Sequence, residues 1–479
     1  MLPDEDFADL LVIGAGFGGL GAAVQGVLAG ARVTLVEAMR YPGGCASTFT
    51  KEGHRFEAGA TLFSGFGEGQ LFRRWMDALD LPVTWTAASP TIRFRSPATA
   101  FDVSTDRDAF LRTLKALPDA PSERLDAFFR LQGRVAEALW PIFDAPERLP
   151  PLSWSGTGWH ARRALVYPTL LPVMNRSLLD VLRRFQLDDW RPLRDWCDAL
   201  CQISVQTDSA TAEAPFALCT LDYPFRGTGH IEGGIGRLAE ALVQALRDRG
   251  VDVQMPARVR RLEPVDGGWA AHLRGGTVRA RRVLVNSTPH GLARLLGEPV
   301  HPRLTRAVES GWGAAMLYGL VRDDGRLARH AHHLQAIVQD GPLHSGNHVF
   351  CSLSEVHQGL RTATVSTHVP IAEVMAEEVR GPRVAAIQRR MQDGLALRWP
   401  ELTLEPLFTA SPRTFARFTG RPHGYVGGVP RRVGLQNYRG LFPRPVRPGL
   451  WMVGDSVFPG QSTLATAVGG ARTARAALD

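Results

Sequence analysis

The stretch ADLLVIGAGFGGLGAAVQGVLAGARVTLVEA, residues 8–38, decides the fold of this chain. An apolar run from Leu10 to Ile13 leads into a glycine-rich turn and then into small residues typical of a closely packed helix. A second apolar run ends on Glu37. This order is typical of a βαβ unit, in which two parallel strands flank a helix.

Each glycine of this turn has a separate task in a nucleotide site. Gly14 permits the tight turn, Gly16 lets the backbone approach a pyrophosphate, and Gly19 lets the helix pack close to the strand. The helix N-terminus offers free amides and the positive end of a dipole to the phosphates. Glu37 lies where a carboxylate bonds ribose hydroxyls, so we predict a dinucleotide site.

Composition limits the class of protein. The 479 residues allow two or three domains, and 44% hydrophobic with 21% charged residues is typical of a soluble globular chain. The net charge is +8, but the arginines are scattered and Lys51 and Lys115 are the only lysines. We therefore expect no nucleic-acid partner.

The cysteines and the N-terminus indicate the compartment. Five cysteines without a C-x-x-C pair favour a reducing compartment over a disulfide framework or a zinc site. The acidic start MLPDEDFADLL does not look like a signal peptide. The uncharged residues 10–31 belong to the glycine turn and its helix, so we expect no transmembrane helix and a cytoplasmic protein.

The residues after Glu37 discriminate between dinucleotides. A second glycine pair, Gly43 and Gly44, is followed by a short hairpin-like stretch that ends at Gly59. An NAD dehydrogenase would normally continue with another βαβ unit. Paired glycines in a loop suit a longer cofactor, whose ribityl chain and isoalloxazine ring must pass close to the backbone, so we predict FAD.

With these motifs the sequence resembles the large flavoprotein family that includes amine oxidases, protoporphyrinogen oxidase and the carotenoid desaturases and isomerases. In that family a stretch like Phe56-Glu57-Ala58-Gly59-Ala60-Thr61 passes beside the flavin. The glycines at 233–236 resemble the return of the chain to the FAD domain, which implies that Val259 lies near the adenine. The apolar residues 283–285 resemble a strand that ends at Asn286, near the cofactor.

Three stretches resemble the carotenoid desaturase and isomerase branch of the family: YPGGCASTFTKEGHRFEAGATLFSGFGEG (41–69), SPRTFARFTGRPHGYVGGVP (411–430) and GDSVFPGQSTLATAVGGARTARAALD (454–479). The last is closest to carotenoid isomerases. Cys45 stands where bacterial phytoene-type desaturases usually have arginine. We interpret Cys45 as a small residue near the pyrophosphate rather than as a flavin attachment site.

The two turns and the resemblance together imply the cofactor contacts. Asp455 would bond a ribityl hydroxyl, and the helix that follows Ser462 would point its N-terminus at the flavin. The predicted FAD-binding residues are Gly14, Gly16, Phe17, Gly18, Gly19, Glu37, Ala38, Gly43, Gly44, Cys45, Ala46, Gly59, Ala60, Thr61, Val259, Gly454, Asp455, Ser462, Thr463 and Leu464.

No side chain is assigned a catalytic role from the sequence. Glu232 and Asp222 border the 233–236 glycines and are weak candidates, with surface acids as the simpler interpretation. Histidines at 330, 332, 333, 344 and 348 are joined by no acid cluster, so we expect no metal site.

The predicted fold class is α/β, with a discontinuous Rossmann-like FAD-binding domain formed by residues 1–65, 226–300 and 441–479. Residues 301–440 read as alternating strands and predict a mixed sheet that binds substrate. Residues 66–225 predict a helical insert at the substrate entrance.

The insert is rich in tryptophan interleaved with arginine, as in SWSGTGWHARRALVYPTLLPVM, residues 153–174. This pattern is typical of a segment at a bilayer interface, and it is equally typical of a core packed with tryptophan. The first interpretation predicts a peripheral protein on the inner face of the membrane.

The resemblance implies an FAD-dependent oxidoreductase whose partner is a lipophilic polyene such as a carotenoid. Desaturation by hydride transfer to flavin N5 is the first hypothesis. Redox-neutral cis-trans isomerisation with reduced FAD, amine oxidation, and non-catalytic lipid binding on the same scaffold are the alternatives. The sequence identifies no electron acceptor.

Overall fold

Two seven-stranded sheets organise the chain in the computed structural model, which describes residues 7–323, 325, 331–438 and 440–479, without the side chains at 377–379. The position of His330, named above among the histidines, lies outside the described residues. The strands are β1 (Phe7–Ile13), β2 (Val33–Val36), β3 (Thr48–Lys51), β4 (His54–Glu57), β5 (Trp85–Ala87), β6 (Ile92–Arg95), β7 (Ala100–Val103), β8 (Gly229–Ile231), β9 (Asp252–Gln254), β10 (Arg261–Val265), β11 (Gly268–His272), β12 (Thr277–Asn286), β13 (Trp312–Arg322), β14 (His333–Ile337), β15 (His348–Leu353), β16 (Leu360–Pro370), β17 (Leu404–Ala410) and β18 (Leu450–Val453).

Helices connect and cover these sheets. They are α1 (Phe17–Leu28), α2 (Leu71–Leu79), α3 (Arg107–Lys115), α4 (Ser122–Leu139), α5 (Trp154–Arg162), α6 (Leu178–Arg184), α7 (Arg191–Ser204), α8 (Ala214–Asp222), α9 (Gly236–Asp248), α10 (Pro289–Leu296), α11 (Pro302–Glu309), α12 (Glu377–Arg398), α13 (Pro412–Thr419) and α14 (Thr463–Leu478). The predicted α/β fold class is confirmed.

The first sheet has the strand order β10-β11-β12-β1-β2-β9, and β18 pairs with the second half of β12. Strands β1, β2, β9, β12 and β18 run parallel, so their carboxyl ends meet at one edge. Open parallel sheets bind their ligands at the carboxyl ends of the strands, which predicts a site at this edge. The last strand therefore joins the sheet that β1 begins, as predicted, and its direct neighbour is β12.

Helices α1 and α14 pack against each other because glycine keeps their backbones close. A Cβ atom at Gly21 would overlap the backbone of Ala467, and one at Gly470 would overlap the carbonyl of Gly18. Apolar side chains from both helices, including Leu20 and Val468, are buried in the core below them. This contact ties the two ends of the chain together beside one edge of the sheet.

The second sheet has the strand order β17-β13-β16-β15-β14-β6-β7. Helix α12 covers one face, where Ile387 and Met391 are buried with Val365 and Cys351. The pairs are antiparallel except for β14 with β6, so the sheet is mixed. Its other face looks towards the first sheet and forms part of the cavity described below.

Strands β6 and β7 belong to this sheet although they lie in the insert, which the sequence predicts to be helical. Their apolar residues alternate, so that Ile92, Phe94, Phe101 and Val103 are all buried. A hairpin of two four-residue strands gives a weak period-2 signal inside a long helical pattern, which explains the difference.

Some tryptophans of the insert lie in the core, and one lies on the surface, as a bilayer interface would require. Trp75, Trp140 and Trp196 are buried in the core, whereas the side chain of Trp154 is 95% exposed. None of the helices among the described residues is both long and apolar enough to cross a membrane.

Candidate active site

A cavity of about 1130 Å³ lies between the first sheet, the second sheet and the helical insert. It begins at the carboxyl ends of β1, β2 and β12, where Gly14, Glu37 and Asn286 line it. It continues past Asp455, just after β18, and ends among apolar side chains of the insert. The volume exceeds that of an ordinary small-ligand pocket and is sufficient for an extended cofactor together with a substrate.

Glycines line the cofactor end of the cavity. Gly14 has a φ of +99°, and a Cβ atom there would lie 2.8 Å from the backbone oxygen of Asn286. At Gly16 a Cβ atom would lie 2.7 Å from Asn286 Nδ2. The amide of Gly43 donates to the carbonyl of Ala15 at 2.8 Å, which holds the two glycine turns side by side. A side chain at Gly14 or Gly16 would collide with Asn286, so the turn can keep its backbone against the cavity only with glycine.

The N-terminus of α1 faces this space, because its N-cap residue Gly16 lines the cavity. Within the described part of the chain, no side chain caps this end of the helix. Its first amides are therefore available to an anion, and the helix dipole favours negative charge there. The arrangement fits the phosphates of a dinucleotide.

Two buried hydroxyls give a further indication of a missing partner. Ser47 Oγ and Thr463 Oγ1 are both buried, and both residues line the cavity although they are far apart in the sequence. Neither oxygen has a hydrogen-bond partner among the residues that the structure describes. Buried polar atoms are nearly always paired, so both are consistent with a site that binds a polar group.

Glu37 lies at the carboxyl end of β2 and lines the cavity. Its Oε2 accepts from the amide of Ala15 and its Oε1 from the amide of Met39, both at 2.7 Å. Burial raises the pKa of this carboxyl above its ordinary value, and these amide hydrogen bonds oppose the shift. Each oxygen of the ionised group retains a lone pair, so the carboxylate can still accept from ribose hydroxyls.

Asn286 contacts both the first glycine turn and the turn after β18, at the strand end that the family resemblance places near the cofactor. Its Nδ2 donates to the carbonyl of Gly14 at 3.4 Å. A Cβ atom at Gly454 would lie 2.7 Å from its Oδ1, so the C-terminal turn packs on the same side chain. Parallel pairing of β12 with β1 brings Asn286 to the cavity, and that signal was present in the strand end at 283–285.

The turn after β18 brings Asp455 to the cavity, together with a second residue that was not predicted. The Asp455 carboxylate and the Arg421 guanidinium form an ion pair of 2.7 Å, with both side chains largely buried. Cys45 lies beside them, and burial raises the pKa of its thiol above the ordinary value. Arg421 therefore brings a positive charge to the part of the cavity that Cys45 and Asp455 line.

Ser462 has two roles in the same region. It lines the cavity, and its Oγ accepts from the amide of Ala465 as the N-cap of α14. Its φ of +96° is unusual for a residue with a side chain. Thr463 and Leu464 form the first turn of the helix and also line the cavity, so the N-terminus of α14 faces it.

All of the predicted FAD-binding residues line the cavity except Gly19 and Gly454. A Cβ atom at Gly19 would overlap the carbonyl of Gly14, so Gly19 allows α1 to pack behind the turn. Gly454 has a φ of +111° and contacts Asn286. Both residues shape the walls from one layer further out.

The weak catalytic candidates lie elsewhere. Asp222 is fully buried and bonded to Arg107 and Arg226, and Glu232 is exposed. Neither residue lines the cavity. Among the described residues there is no group of three acids, histidines or cysteines close enough to hold a metal ion.

The remaining walls are mainly apolar. Strands β13, β15 and β16 contribute inward-facing residues, with Met316 and Phe350 both paired in register to Ser366. On the opposite side an apolar arm of the cavity extends into the insert, lined by Leu62, Trp140, Phe143, Ile203, Phe216 and Tyr223.

Comparison with known proteins identifies the family. Residues 17–476 match the family model described as flavin containing amine oxidoreductase. Prolycopene isomerase 1, chloroplastic, from an Oncidium hybrid cultivar is 27% identical, with 98% of this chain and 84% of that protein covered. Hydroxyneurosporene desaturase from Cereibacter sphaeroides is also 27% identical, with 98% and 97% covered.

A solved oxidoreductase from Methanosarcina mazei shares the fold at 17% identity, with a TM-score of 0.63 over 96% of this chain and 98% of that one. The glycine turns, Glu37 and the free N-terminus of α1 fit the cofactor that the family name implies, which confirms the prediction of FAD. The chain belongs to the flavin-containing amine oxidoreductase family, and it is an FAD-dependent oxidoreductase.

Proposed function

We propose that this oxidoreductase acts on a carotenoid or a related polyene, and that it removes hydrogen from it. The apolar arm supports this proposal most directly, because its lining by aromatic and aliphatic side chains suits a hydrocarbon and belongs to the same cavity as the cofactor-facing walls. The resemblances to a prolycopene isomerase and a hydroxyneurosporene desaturase extend over 98% of the chain and point to the same substrate class.

The charges of the cavity argue against an amine substrate. Glu37 and Asp455 are the acidic residues among those described as lining it. Glu37 accepts two backbone amides at the nucleotide end, and Asp455 is paired with Arg421. No unpaired carboxylate among the described lining residues would balance an ammonium group, whose transfer into an apolar cavity is costly.

When bound, FAD supplies an acceptor for a hydride from a C–H bond beside a conjugated chain. The protein's residues have three tasks in this reaction. The apolar arm holds the chain and excludes water, as its lining by Trp140, Phe143 and Phe216 indicates. The glycine turns and Glu37 bind the nucleotide part. The N-terminus of α14 places a positive dipole end in the cavity, where it would stabilise negative charge on a reduced ring.

Desaturation removes a hydride and a proton from adjacent carbons, so a second substrate must later reoxidise the cofactor. Redox-neutral isomerisation needs no such acceptor, because the electrons return to the polyene. The similarity to prolycopene isomerase keeps this second candidate open.

The exposed apolar residues of the insert support contact with a membrane. Trp154 and Leu165 are 95% exposed and Leu171 is 74% exposed. Together with Leu152 they form an exposed apolar patch, in a segment that packs on α4 through the bond from Arg163 to the Glu137 carbonyl. Trp140, which lines the arm, directly follows α4. We propose that this patch rests at a lipid interface and that the polyene enters there, which would make the enzyme a peripheral protein of the inner membrane face.

Product mass tests the proposed reaction. The holoenzyme is incubated without oxygen with liposomes that contain an acyclic all-trans or cis carotene, once with oxidised FAD and once after reduction. Loss of two hydrogens from the polyene with bleaching of the flavin indicates desaturation. Unchanged mass with altered double-bond geometry indicates isomerisation. Oxidation of alkylamines without any change in either carotene would contradict the proposal.

A further inference from the structure

A pair of polar side chains, His368 and Gln206, interrupts the apolar wall of the cavity. His368 lies on β16, on the same face as Ser366, and pairs in register with Ala314 of β13. Gln206 lies two residues beyond the end of α7. All four residues line the cavity. A hydrocarbon substrate has no group that could use this pair, so its presence needs another explanation.

The hydrogen bonds of the pair assign its donors and acceptors. Gln206 Nε2 lies 3.1 Å from His368 Nε2 and 3.4 Å from the carbonyl oxygen of Gln202. The contact with a carbonyl identifies this atom as the amide nitrogen, which only donates. His368 Nε2 is therefore an acceptor, and Nδ1 carries the proton. Burial lowers the pKa of His368 to about 4, so the ring is neutral at physiological pH.

This tautomer leaves one donor without a partner. Within the described part of the chain, no hydrogen bond involves His368 Nδ1. His368 is partly accessible from the cavity although it lies deep in the protein. An N–H group that faces an apolar cavity costs free energy until an acceptor reaches it.

Contacts from Trp312 and Gly427 hold Gln206, in the loop after α7, in one conformation. The backbone of Gln206 has a φ of +62°, and its carbonyl accepts from Trp312 Nε1 at 2.9 Å. Gly427 makes room for the side chain, because a Cβ atom there would overlap the amide group of Gln206. Uncommon backbone conformations that are fixed by their surroundings concentrate at binding and catalytic sites.

The pair lies near the cofactor-facing end of the cavity. Gln461, in the turn after β18, donates from Nε2 to the carbonyl of Ile203 at 3.2 Å. Gly428 packs against the backbone of Asp455, next to the glycine that accommodates Gln206. Residues 203–206 thus touch the turn that brings Asp455 and Ser462 to the cavity.

We propose that His368, oriented by Gln206, binds an oxygen atom of the substrate, which makes an oxygenated polyene the preferred substrate class. This inference rests on the proposed function and narrows its substrate. The Nδ1–H donor suits a hydroxyl, an ether or a carbonyl oxygen equally, since all three accept a hydrogen bond. Because His368 lies near the turn after β18, this hydrogen bond would also determine which part of the polyene reaches the cofactor end of the cavity.

A matched substrate series tests the inference on the unmodified holoenzyme. One acyclic carotene is compared with derivatives that carry a terminal hydroxyl, methoxy or keto group. Sites that hydrogen-bond a substrate oxygen discriminate strongly against the analogue without it, so we expect kcat/KM to favour at least one oxygenated derivative by about tenfold to hundredfold. Equal kcat/KM for all four polyenes would overturn the inference while leaving the proposed function intact.

Binding keeps the inference testable if no polyene is converted. Equilibrium binding to the holoenzyme is followed by quenching of tryptophan fluorescence, with the same four ligands. We expect the same order of affinities. Absence of any conversion combined with this order contradicts only the proposed function, whereas equal affinities contradict the inference.

Two variants and a matched control separate recognition from structure. His368→Leu removes the donor and should abolish the preference, and His368→Gln keeps an N–H group and should retain part of it. His348 is the control, because its Nε2 also contacts a glutamine, Gln335, at 3.0 Å, yet neither residue lines the cavity. His348→Leu should leave the preference unchanged. A preference that survives in His368→Leu, at normal flavin content, would overturn the assignment.

Discussion

The two ends of the cavity are built from different parts of the polypeptide. At the cofactor end the walls are backbone, since Gly14, Gly16 and Gly43 bring main-chain atoms directly to the space. At the substrate end the walls are side chains such as Trp140, Phe216 and Met316. A backbone wall tolerates no added atom, whereas a side-chain wall can change its shape and its chemistry. The cofactor end therefore suits one ligand of constant shape, and the substrate end can be adjusted to many.

The largest effect is expected from adding a side chain to the backbone wall at the cofactor end. Gly16→Val places a Cβ atom 2.7 Å from Asn286 Nδ2, so the glycine turn has to move. Overpacking of this kind costs about 1–3 kcal/mol in well-packed regions, and here it also displaces the backbone amides at the start of α1, so FAD affinity should fall at least roughly 100-fold. Flavin absorbance of the purified protein and FAD titration measure the loss.

Gly158→Ala is the control for that change, because a Cβ atom at Gly158 meets nothing within 4 Å. It should keep the flavin content of the unmodified enzyme. A Gly16→Val protein that retains stoichiometric FAD would contradict the assignment of the first turn.

The ion pair between Arg421 and Asp455 is a side-chain feature at the cofactor end, and it sharpens the comparison. Arg421→Met leaves a largely buried carboxylate without its partner, which should lower the free energy of unfolding by about 2 kcal/mol. Adding Asp455→Asn should recover part of this loss. Denaturant unfolding of the two variants measures both effects.

A surface pair provides the reference for this measurement. Arg73 and Asp77 lie 3.2 Å apart with both side chains more than half exposed. Arg73→Met should change the free energy of unfolding by less than about 0.5 kcal/mol. Similar losses of unfolding free energy in Arg421→Met and Arg73→Met would show that the buried pair contributes no more to stability than the surface pair.

At the substrate end, a change in the shape of the wall should leave FAD binding intact but should lower the rate of the reaction. Phe143→Ser shortens and polarises one wall of the apolar arm, so kcat/KM for a carotene should fall about tenfold with normal flavin content. Phe442→Ser, at an exposed position outside the cavity, should leave kcat/KM unchanged. Loss of flavin from Phe143→Ser would contradict the separation of the two ends.

The smallest expected effect concerns the exposed apolar patch. Trp154→Ser combined with Leu165→Ser removes two strongly exposed apolar side chains, and should weaken binding to anionic liposomes several-fold without altering flavin content. Sedimentation with vesicles gives the bound fraction. Leu435→Ser, at a site 73% exposed and remote in sequence, serves as control. Equal binding by all three proteins would contradict membrane contact through the patch.

The same contrast explains how much of the site could be predicted from the sequence. A backbone wall needs glycine at fixed spacing, so the turns at 14–19 and 43–44 and the acid Glu37 were recognisable one element at a time. The return of the chain at 454–464 was recognisable because it has the same form: an apolar strand, a glycine and a helix of small residues.

Side chains that arrive from distant elements gave no comparable signal. Arg421 occupies an ordinary position in the sequence and reaches the cavity only through the loop after α13. The proposed role of His368 depends on its hydrogen bond with Gln206, which is 162 positions away in the sequence. The sequence does not predict the hairpin of β6 and β7, because β14, its partner in the second sheet, is still more remote along the chain.

The position of β18 and α14 has a consequence for biosynthesis. Both elements complete the cofactor site, yet a ribosome makes them long after β1 and α1. A growing chain therefore carries an unfinished FAD site until β18 and α14 have been made, and flavin loading has to await this strand and helix. Tightly bound flavin in a preparation thus reports that translation has run through β18 and α14 and that they have packed against β12 and α1.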